Sequence, residues 1–345
     1  MNPSFLISNP DADDFFLYAE TAFHHEGDLS YLQKLVAASA DANVDGVKFQ
    51  ILLDAASAYS ETLPQFDKIK SWCFDEMQWL GTLRRAKELG LHTVVMPIDT
   101  RSVEFALRNE ELVDAYEIHS VCFNDHHMLM ALSPSTKPVL LNIGGRRPEE
   151  IRYTLEMLPH QSSALIYGLQ NFPTEPSALN LSRIAGYRKL FGRCMGYADH
   201  TTADTPETGT ALSCYAYALG CRIFERHIAI ERGTRRVDSQ AAVMPEEIRA
   251  MRRNLTEARA ALGTPSILHS TAFDDTYRKR QKQLVFARDM HPGEALTSET
   301  LRFMVTSEPS DFEQKDYFKL AGRRVCRPVL KHQPVLFGDI GRINE

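Results

Sequence analysis

Eight short apolar segments alternate with amphipathic segments in this chain, and that rhythm constrains the fold more than any other feature. The predicted strands are Phe15–Ala19, Asp45–Gln50, Thr93–Pro97, Ala115–His119, Pro138–Asn142, Ala164–Gly168, Cys194–Ala198 and Arg222–Ile228. Eight such units, closed by a predicted helix over Pro245–Leu262, are typical of a (β/α)₈ TIM barrel. The alternative is a doubly wound open sheet, but the first strand is not followed by the Gly-rich phosphate loop common in such sheets.

Composition excludes several classes of protein. The 345 residues carry a net charge of −6, which predicts no general attraction to nucleic acid or to an anionic membrane. No signal peptide and no apolar stretch long enough to span a membrane is recognisable, so a cytoplasmic protein is expected. The six cysteines form no CxxC pair, which indicates reduced thiols and argues against a Cys-rich zinc site.

The pattern changes after Ser270. We expect a barrel domain over residues 1–270, a charged linker over 271–280 and a small β-rich domain over 281–345. Its signals are an apolar strand at Leu284–Ala287, a Pro-Gly turn at Met290–Glu294 and a strand-helix piece at Ala295–Leu301. A domain of this size has a marginal core, so packing against another surface is expected.

Polar residues concentrate at the predicted C-terminal strand ends, where the catalytic groups of a barrel lie. They are Glu20, His24, His25, Lys48, Gln50, Asp99, Glu117, His119, Asn142, Gln170, Asn171, Asp199, His200, Glu225 and His227. His200 and His227 close consecutive strands, which permits either a shared divalent metal or two structural imidazoles.

Two basic features leave alternatives open. Lys48 lies between apolar strand residues, so it needs a partner: it is a Schiff-base lysine, a phosphate contact or one half of a buried ion pair with Glu20. Arg146 and Arg147 precede a predicted helix at Pro148, where they would hold an anion or form a solvated helix start.

Several ordered segments resemble the signatures of the sialic acid synthase family, which includes spore coat polysaccharide biosynthesis protein E. They are Ala19–Asp28, Val47–Gln50, Met96–Asp99, Gly196–Thr201, Glu225–His227 and Asp238. The segment Phe286–Thr297 resembles the antifreeze-like (SAF) domain of that family, a β-clip module.

The resemblance implies a barrel that condenses phosphoenolpyruvate with an N-acetylmannosamine-like aldose, using Mn²⁺ or Mg²⁺, for surface polysaccharide biosynthesis. It implies that His200 and His227 are metal ligands and that Glu20, Lys48 and Asp238 are catalytic, with Lys48 on phosphoenolpyruvate and Asp238 on a sugar hydroxyl. The remaining substrate contacts are expected from His25, Gln50, Asp99 and Asn171. A domain-swapped homodimer is also implied.

The departures from the family pattern raise two questions. Glu117 stands where the fourth strand usually carries a phosphate-binding lysine, and Val305 lies where a sugar-contacting arginine is expected. We therefore expect Arg146 or Arg147 to supply the missing cation and to bind substrate. The alternatives are a sugar-binding or regulatory pseudoenzyme, and a metal-assisted sugar aldolase or isomerase.

Overall fold

The first part of the chain forms a closed barrel of eight parallel strands in sequence order, which confirms the predicted (β/α)₈ fold. The computed structural model describes residues 3–9, 11–264, 266–268 and 270–341. The barrel strands are β1 (Phe16–Glu20), β2 (Gly46–Ile51), β3 (His92–Pro97), β4 (Ala115–Ile118), β5 (Val139–Asn142), β6 (Ser163–Tyr167), β7 (Cys194–Asp199) and β8 (Cys221–His227). β1 pairs with both β2 and β8, which closes the sheet.

Helices follow the strands around the outside of the barrel. They are α1 (Pro3–Ser8), α2 (Leu29–Asp41), α3 (Ala55–Ala58), α4 (Phe66–Lys70), α5 (Glu76–Glu88), α6 (Thr100–Arg108), α7 (His126–Leu132), α8 (Pro148–Met157), α9 (Arg183–Phe191), α10 (Pro206–Ala218) and α11 (Pro245–Leu262). The bounds of α11 match the sequence prediction, whereas α9 begins at Arg183 instead of the predicted Leu179 because a short 3₁₀ turn precedes it.

Alternation along the strands separates two cores. Outward residues such as Val47, Phe49 and Leu165 pack against the helices in the larger core. Inward residues such as Phe16 and Ile166 form a smaller core, which Leu6 of α1 joins. Near the C-terminal ends of the strands, the inward-facing residues are polar. The apolar core of the barrel interior therefore ends below this face.

The rest of the chain forms a second compact unit: the structure divides into Met1–Gly263 and Thr264–Glu345. The second unit contains α12 (Ala272–Arg278), β9 (Gln283–Phe286), β10 (Leu301–Met304) and α13 (Tyr317–Leu320), with β9 and β10 antiparallel. Leu284, Phe286 and Val335 belong to its own buried core. α12 occupies most of the stretch predicted as a linker, 271–280, so that stretch is helical. No helix among the described residues is long and apolar enough to cross a membrane.

Candidate metal centre at the barrel mouth

Four ligand-bearing side chains converge at the C-terminal ends of β1, β7 and β8. Glu20, His200, Glu225 and His227 each offer a nitrogen or carboxylate oxygen, and these atoms all lie within 4.8 Å of one another. All four residues are buried. Register explains part of the convergence, because Glu20 pairs directly with His227 across β1 and β8. Two imidazoles and two carboxylates form a donor set typical of divalent transition metals and of Zn²⁺.

Unsatisfied polar atoms indicate that this group of four fits a cation. Both ring nitrogens of His200 and Oε1 of Glu225 are buried without a hydrogen-bond partner among the described residues. The contact between them is long, at 4.0 Å from His200 Nε2 to Glu225 Oε1. Buried polar groups are nearly always satisfied, so an unpartnered imidazole nitrogen that faces an unpartnered carboxylate oxygen is best explained by a ligand between them.

Lys48 lies directly beneath this group, with its ammonium fully buried. Its Nζ is 2.6 Å from Glu225 Oε2, 2.8 Å from Glu117 Oε1 and 3.2 Å from Glu20 Oε2. The ion pair with Glu20 is therefore present, together with two further partners. Burial opposes the charge of Lys48, but the three carboxylates outweigh it and raise the pKa of the ammonium above its ordinary value.

Tyr18 connects two of these carboxylates from the inner face of β1. Its hydroxyl oxygen lies 2.9 Å from Glu117 Oε2 and 2.7 Å from Glu225 Oε2. One hydroxyl proton serves only one acceptor at a time, so the second contact requires a proton on a carboxyl group. Burial first, and neighbouring carboxylates second, raise the pKa of both Glu117 and Glu225, which agrees with a shared proton.

Glu20 differs from the other two carboxylates. Burial works to raise its pKa, but Lys48 and His227 outweigh burial and hold the pKa of Glu20 well below its ordinary value. His227 Nε2 lies 3.0 Å from Glu20 Oε2, and the Gln50 side-chain amide donates a hydrogen bond of 2.7 Å to Glu20 Oε1. Glu20 is thus the most readily ionised of the three carboxyl groups around Lys48.

Burial keeps the His200 imidazole neutral, and one aromatic ring shields both imidazoles. Burial, followed by the neighbouring His227, lowers the pKa of His200 well below its ordinary value, which leaves one ring nitrogen with a lone pair free to ligate. The ring of Phe172 meets His200 and His227 edge-on, with centroids 5.4 Å and 5.9 Å away. Phe172 follows β6 and excludes water from one side of both rings.

A second layer orients the strand ends that carry the histidines. The Arg226 guanidinium donates to the Asp199 carboxylate across β7 and β8, and these two residues are register partners. Each precedes a histidine in sequence, so this outward-facing ion pair holds His200 and His227 at fixed relative positions. Asp199 also accepts the Thr201 backbone N–H at 3.0 Å.

A cavity of about 450 Å³ opens beside the group of four, above β2, β3 and β4. Gln50, Asp99, His119 and Cys122 are among its lining residues. Asp99 is engaged in structure: it caps α6 by accepting from Ser102 N at 2.9 Å, and it accepts from Leu53 N at 2.8 Å. Gln50 therefore connects the cavity to Glu20, whereas both Asp99 oxygens already hold protein donors.

The other predicted site residues are less closely gathered. Asp238 has a left-handed backbone with φ of 60°. Burial raises its pKa, and the charges of His227 and Glu20 act on it in opposite directions, so Asp238 lies near the group. His25 is fully buried and packs on Phe74 with centroids 4.7 Å apart. Asn171 is exposed, with backbone bonds to Thr174. Ligand contacts by these three stay predictions.

Arg146 and Arg147 are paired with acids of their own helix start. Arg146 lies 3.4 Å from Glu150, and Arg147 lies 3.4 Å from both Glu149 and Glu150. Arg147 occupies the N-cap position of α8, where its backbone N–H donates to the Glu150 carboxylate at 2.7 Å. No contact joins either arginine to the group of four among the residues described, and their role as a replacement cation stays a prediction.

The sequence assigns no role to four residues that this geometry brings into the site. Glu225 and His119 stand out in the sequence only as polar strand-end residues, and Tyr18 and Phe172 do not stand out. Glu225 and Tyr18 could have been found from period-two alternation, since each lies two residues before an inward strand-end residue. Nothing in the sequence pattern identifies Phe172.

Comparisons with known proteins agree with this arrangement. The NeuB family model matches residues 35–266. Human N-acetylneuraminate-9-phosphate synthase is 25% identical over 336 residues, covering 93% of this chain and 91% of the human protein. Pseudaminic acid synthase of Campylobacter jejuni is 24% identical over 347 residues, covering 94% and 96%.

Structural likeness extends over both units of the chain. A Chromobacterium violaceum protein named for spore coat polysaccharide biosynthesis matches with a TM-score of 0.77 at 20% identity, covering 95% of this chain and all of that one. At this identity the likeness shows the fold alone. The family match spans most of the barrel, including β2 to β8 and three of the four clustered ligands, and on that basis the chain belongs to the NeuB family.

Proposed function

We propose that this protein catalyses the metal-dependent condensation of phosphoenolpyruvate with an N-acetylmannosamine-like aldose. Carbon 3 of phosphoenolpyruvate bonds to the aldehyde carbon, water is consumed, and phosphate leaves to give a nine-carbon 2-keto acid. The observation that carries the proposal is the buried group Glu20, His200, Glu225 and His227 at the mouth of a NeuB-family barrel. The relatives named as synthases of such sugar acids support the same reaction.

The chain's own residues have distinct tasks in this scheme. Glu20, His200, Glu225 and His227 would hold Mn²⁺ or Mg²⁺, which when bound polarises the sugar aldehyde as a Lewis acid. Gln50 orients Glu20 through its amide. Phe172 keeps water from the imidazoles, and Asp238 accepts from a sugar hydroxyl. Lys48 keeps three carboxylates together and places its positive charge beneath the bound anion.

We also propose that residues 281–345 form an SAF-type domain that covers the barrel mouth of a partner copy. The support is apolar exposure in the segment that begins the second unit. Ile267, Leu268, Phe273 and Tyr277 are 95%, 87%, 88% and 72% exposed. Exposed apolar side chains concentrated in one short segment favour burial against a second molecule, here another copy of this chain.

One observation favours a second candidate function, a metal-assisted aldol reaction of an unphosphorylated 2-keto acid. The Lys48 ammonium is saturated by three carboxylates, including Glu117. A phosphate placed nearby would therefore meet little uncompensated positive charge, whereas pyruvate carries one charge and no phosphate.

A donor assay separates the two candidates. Purified protein with Mn²⁺ is given phosphoenolpyruvate or pyruvate with a panel of 2-acetamido aldoses, and both phosphate release and keto-acid formation are measured. The proposal predicts sugar-dependent phosphate release with an equal amount of keto acid. Keto acid from pyruvate without phosphate release identifies the aldol reaction instead, and no product from either donor overturns both.

A further inference from the structure

We infer that His119 is a substrate-binding residue, its Nε2–H donating a hydrogen bond to an anionic oxygen of the three-carbon donor. This inference rests on the proposed function and identifies a contact of the same site. It arises from three features of the structure: the position of His119 on β4, the state of its ring and the cavity that it lines.

His119 lies at the mouth end of β4, above the buried ion pairs of the barrel interior. Glu117 is an inward residue of β4, and His119 follows two residues later, so both side chains point toward the barrel axis. His119 is one layer closer to the mouth. A ligand entering from the mouth therefore meets the imidazole before it meets Glu117 or the Lys48 ammonium that Glu117 holds at 2.8 Å.

The ring has a defined hydrogen-bonding direction. Its Nδ1 accepts the backbone N–H of Val121 at 3.0 Å, in the 3₁₀ turn that follows β4. A neutral imidazole with Nδ1 as acceptor carries its proton on Nε2. Among the described residues none is hydrogen bonded to that Nε2, and His119 is only half-buried, so this donor is available to a ligand.

The surroundings keep the ring neutral. Burial, and then the Lys48 charge, lower the pKa of His119 to about 4. Glu20 acts in the opposite direction and His227 in the same direction as Lys48. His119 therefore offers a hydrogen bond without a positive charge at neutral pH, unlike a lysine at the same height in the barrel.

The cavity supplies room for the acceptor. His119 and Gln50 line the same space of about 450 Å³, and Gln50 donates to Glu20 of the metal group. A donor substrate in this space is thus within reach of His119 and of Gln50, and Gln50 connects the space to the metal group through Glu20. The adjacent Asp99 is saturated by protein donors, so it does not compete for the His119 proton.

Binding measurements test the assignment. Wild type, His119→Ala and His119→Gln are titrated calorimetrically with phosphoenolpyruvate and with pyruvate in the presence of Mn²⁺, and KM and kcat are measured where turnover occurs. His119→Gln retains a donor near the Nε2 position. His126→Ala is the control, since His126 is exposed at the start of α7 and contacts Tyr153.

We expect His119→Ala to weaken donor binding at least tenfold with a smaller change in kcat, and His119→Gln to recover most of the affinity. Loss confined to phosphoenolpyruvate places the bond on phosphate, and equal loss for both donors places it on the carboxylate. Unchanged affinity in His119→Ala, with wild type binding normally, overturns the inference alone. A wild type that binds neither donor overturns the proposed function and the inference with it.

Discussion

Lys48 shows how one residue's environment decides its role. A fully buried ammonium has lost its hydration, and the three carboxylates within 3.2 Å replace it. Glu117, which as an open carboxylate would repel an anionic donor, is instead bonded to Lys48 and Tyr18. Glu117 stands where the family resemblance implies a phosphate-binding lysine, and its charge is compensated within the protein by Lys48 and Tyr18.

Lys48→Met should destabilise the metal-free protein by about 3–5 kcal/mol, because three buried carboxylates would lose their counter-charge. Urea unfolding in the presence of a chelator measures this cost. Lys87→Met is the matched control: Lys87 pairs with Asp114 at 2.7 Å but is about a third exposed. Its removal should cost about 1 kcal/mol, and equal losses in the two variants would contradict the account.

The burial of His25 should make the free energy of unfolding depend on pH. Burial lowers its pKa from an ordinary value of 6.5 to about 3 in the folded chain. The unfolded chain therefore binds the proton more readily, and the contribution of His25 to stability is full above pH 6.5 and declines as the pH falls toward 3. The loss at pH 4 is about 3 kcal/mol.

His25→Phe keeps an aromatic ring against Phe74 and Trp79 but has no group to titrate. Free energies of unfolding at pH 7 and pH 4 should thus differ less in the variant than in wild type. If the two proteins lose the same stability between these pH values, His25 is not held neutral in the folded state.

At the scale of elements, apolar periodicity was sufficient to predict all eight barrel strands and α11, because each is a local pattern. The charged layer inside the barrel was not predictable in the same way. Lys48 on β2 meets Glu117 on β4, with β3 between them, and meets Glu225 on β8 only because the sheet closes. Strand register across a closed barrel depends on the whole sheet, so local pattern did not reveal the network.

In the second unit, the local sequence pattern predicts only part of the strand pairing. Its predicted first strand, Leu284–Ala287, matches β9 closely, but β10 begins at Leu301, where the predicted strand-helix piece ends. Its other pairings are isolated bridges, such as Met290 with Val329 and Val325 with Ile340. Single bridges between distant residues leave no periodic signal in the sequence.

A substitution at Gly209 on α10 tests whether the Asp199–Arg226 ion pair positions the strand ends that carry His200 and His227. A Cβ at Gly209 would lie 2.0 Å from Asp199 Oδ2 and 2.9 Å from Thr201 Oγ1. Gly209→Ala should displace the Asp199–Arg226 pair, cost about 1–3 kcal/mol of stability and weaken Mn²⁺ binding several-fold. Denaturation and calorimetry measure the two effects.

The control is Gly186→Ala in α9, where an added Cβ meets no atom within 4 Å. Alanine has the better helix propensity, so this variant should be neutral or stabilised by up to about 1 kcal/mol, with unchanged Mn²⁺ binding. Equivalent behaviour of the two glycine variants would show that Asp199 does not position the metal group.

At the scale of the whole molecule, the barrel and the C-terminal unit each have a hydrophobic core, and the activity we propose requires both. Light scattering of the full chain at micromolar concentration should give the mass of a dimer. Truncation after Gly263 should leave a folded barrel that has lost most of its turnover, because the partner's cover is missing. A monomeric full chain, or full activity in the truncated protein, would contradict the proposed arrangement.

Mn²⁺ titration followed by electron paramagnetic resonance measures directly whether Glu20, His200, Glu225 and His227 bind one divalent cation. Binding removes the six-line signal of free Mn²⁺, so the stoichiometry is read without any assay of activity. We predict one site per chain in wild type and its loss in the His200→Ala/His227→Ala double variant, with the circular dichroism spectrum of the barrel retained. Free Mn²⁺ throughout the wild-type titration, or undiminished binding by the folded double variant, would contradict the account.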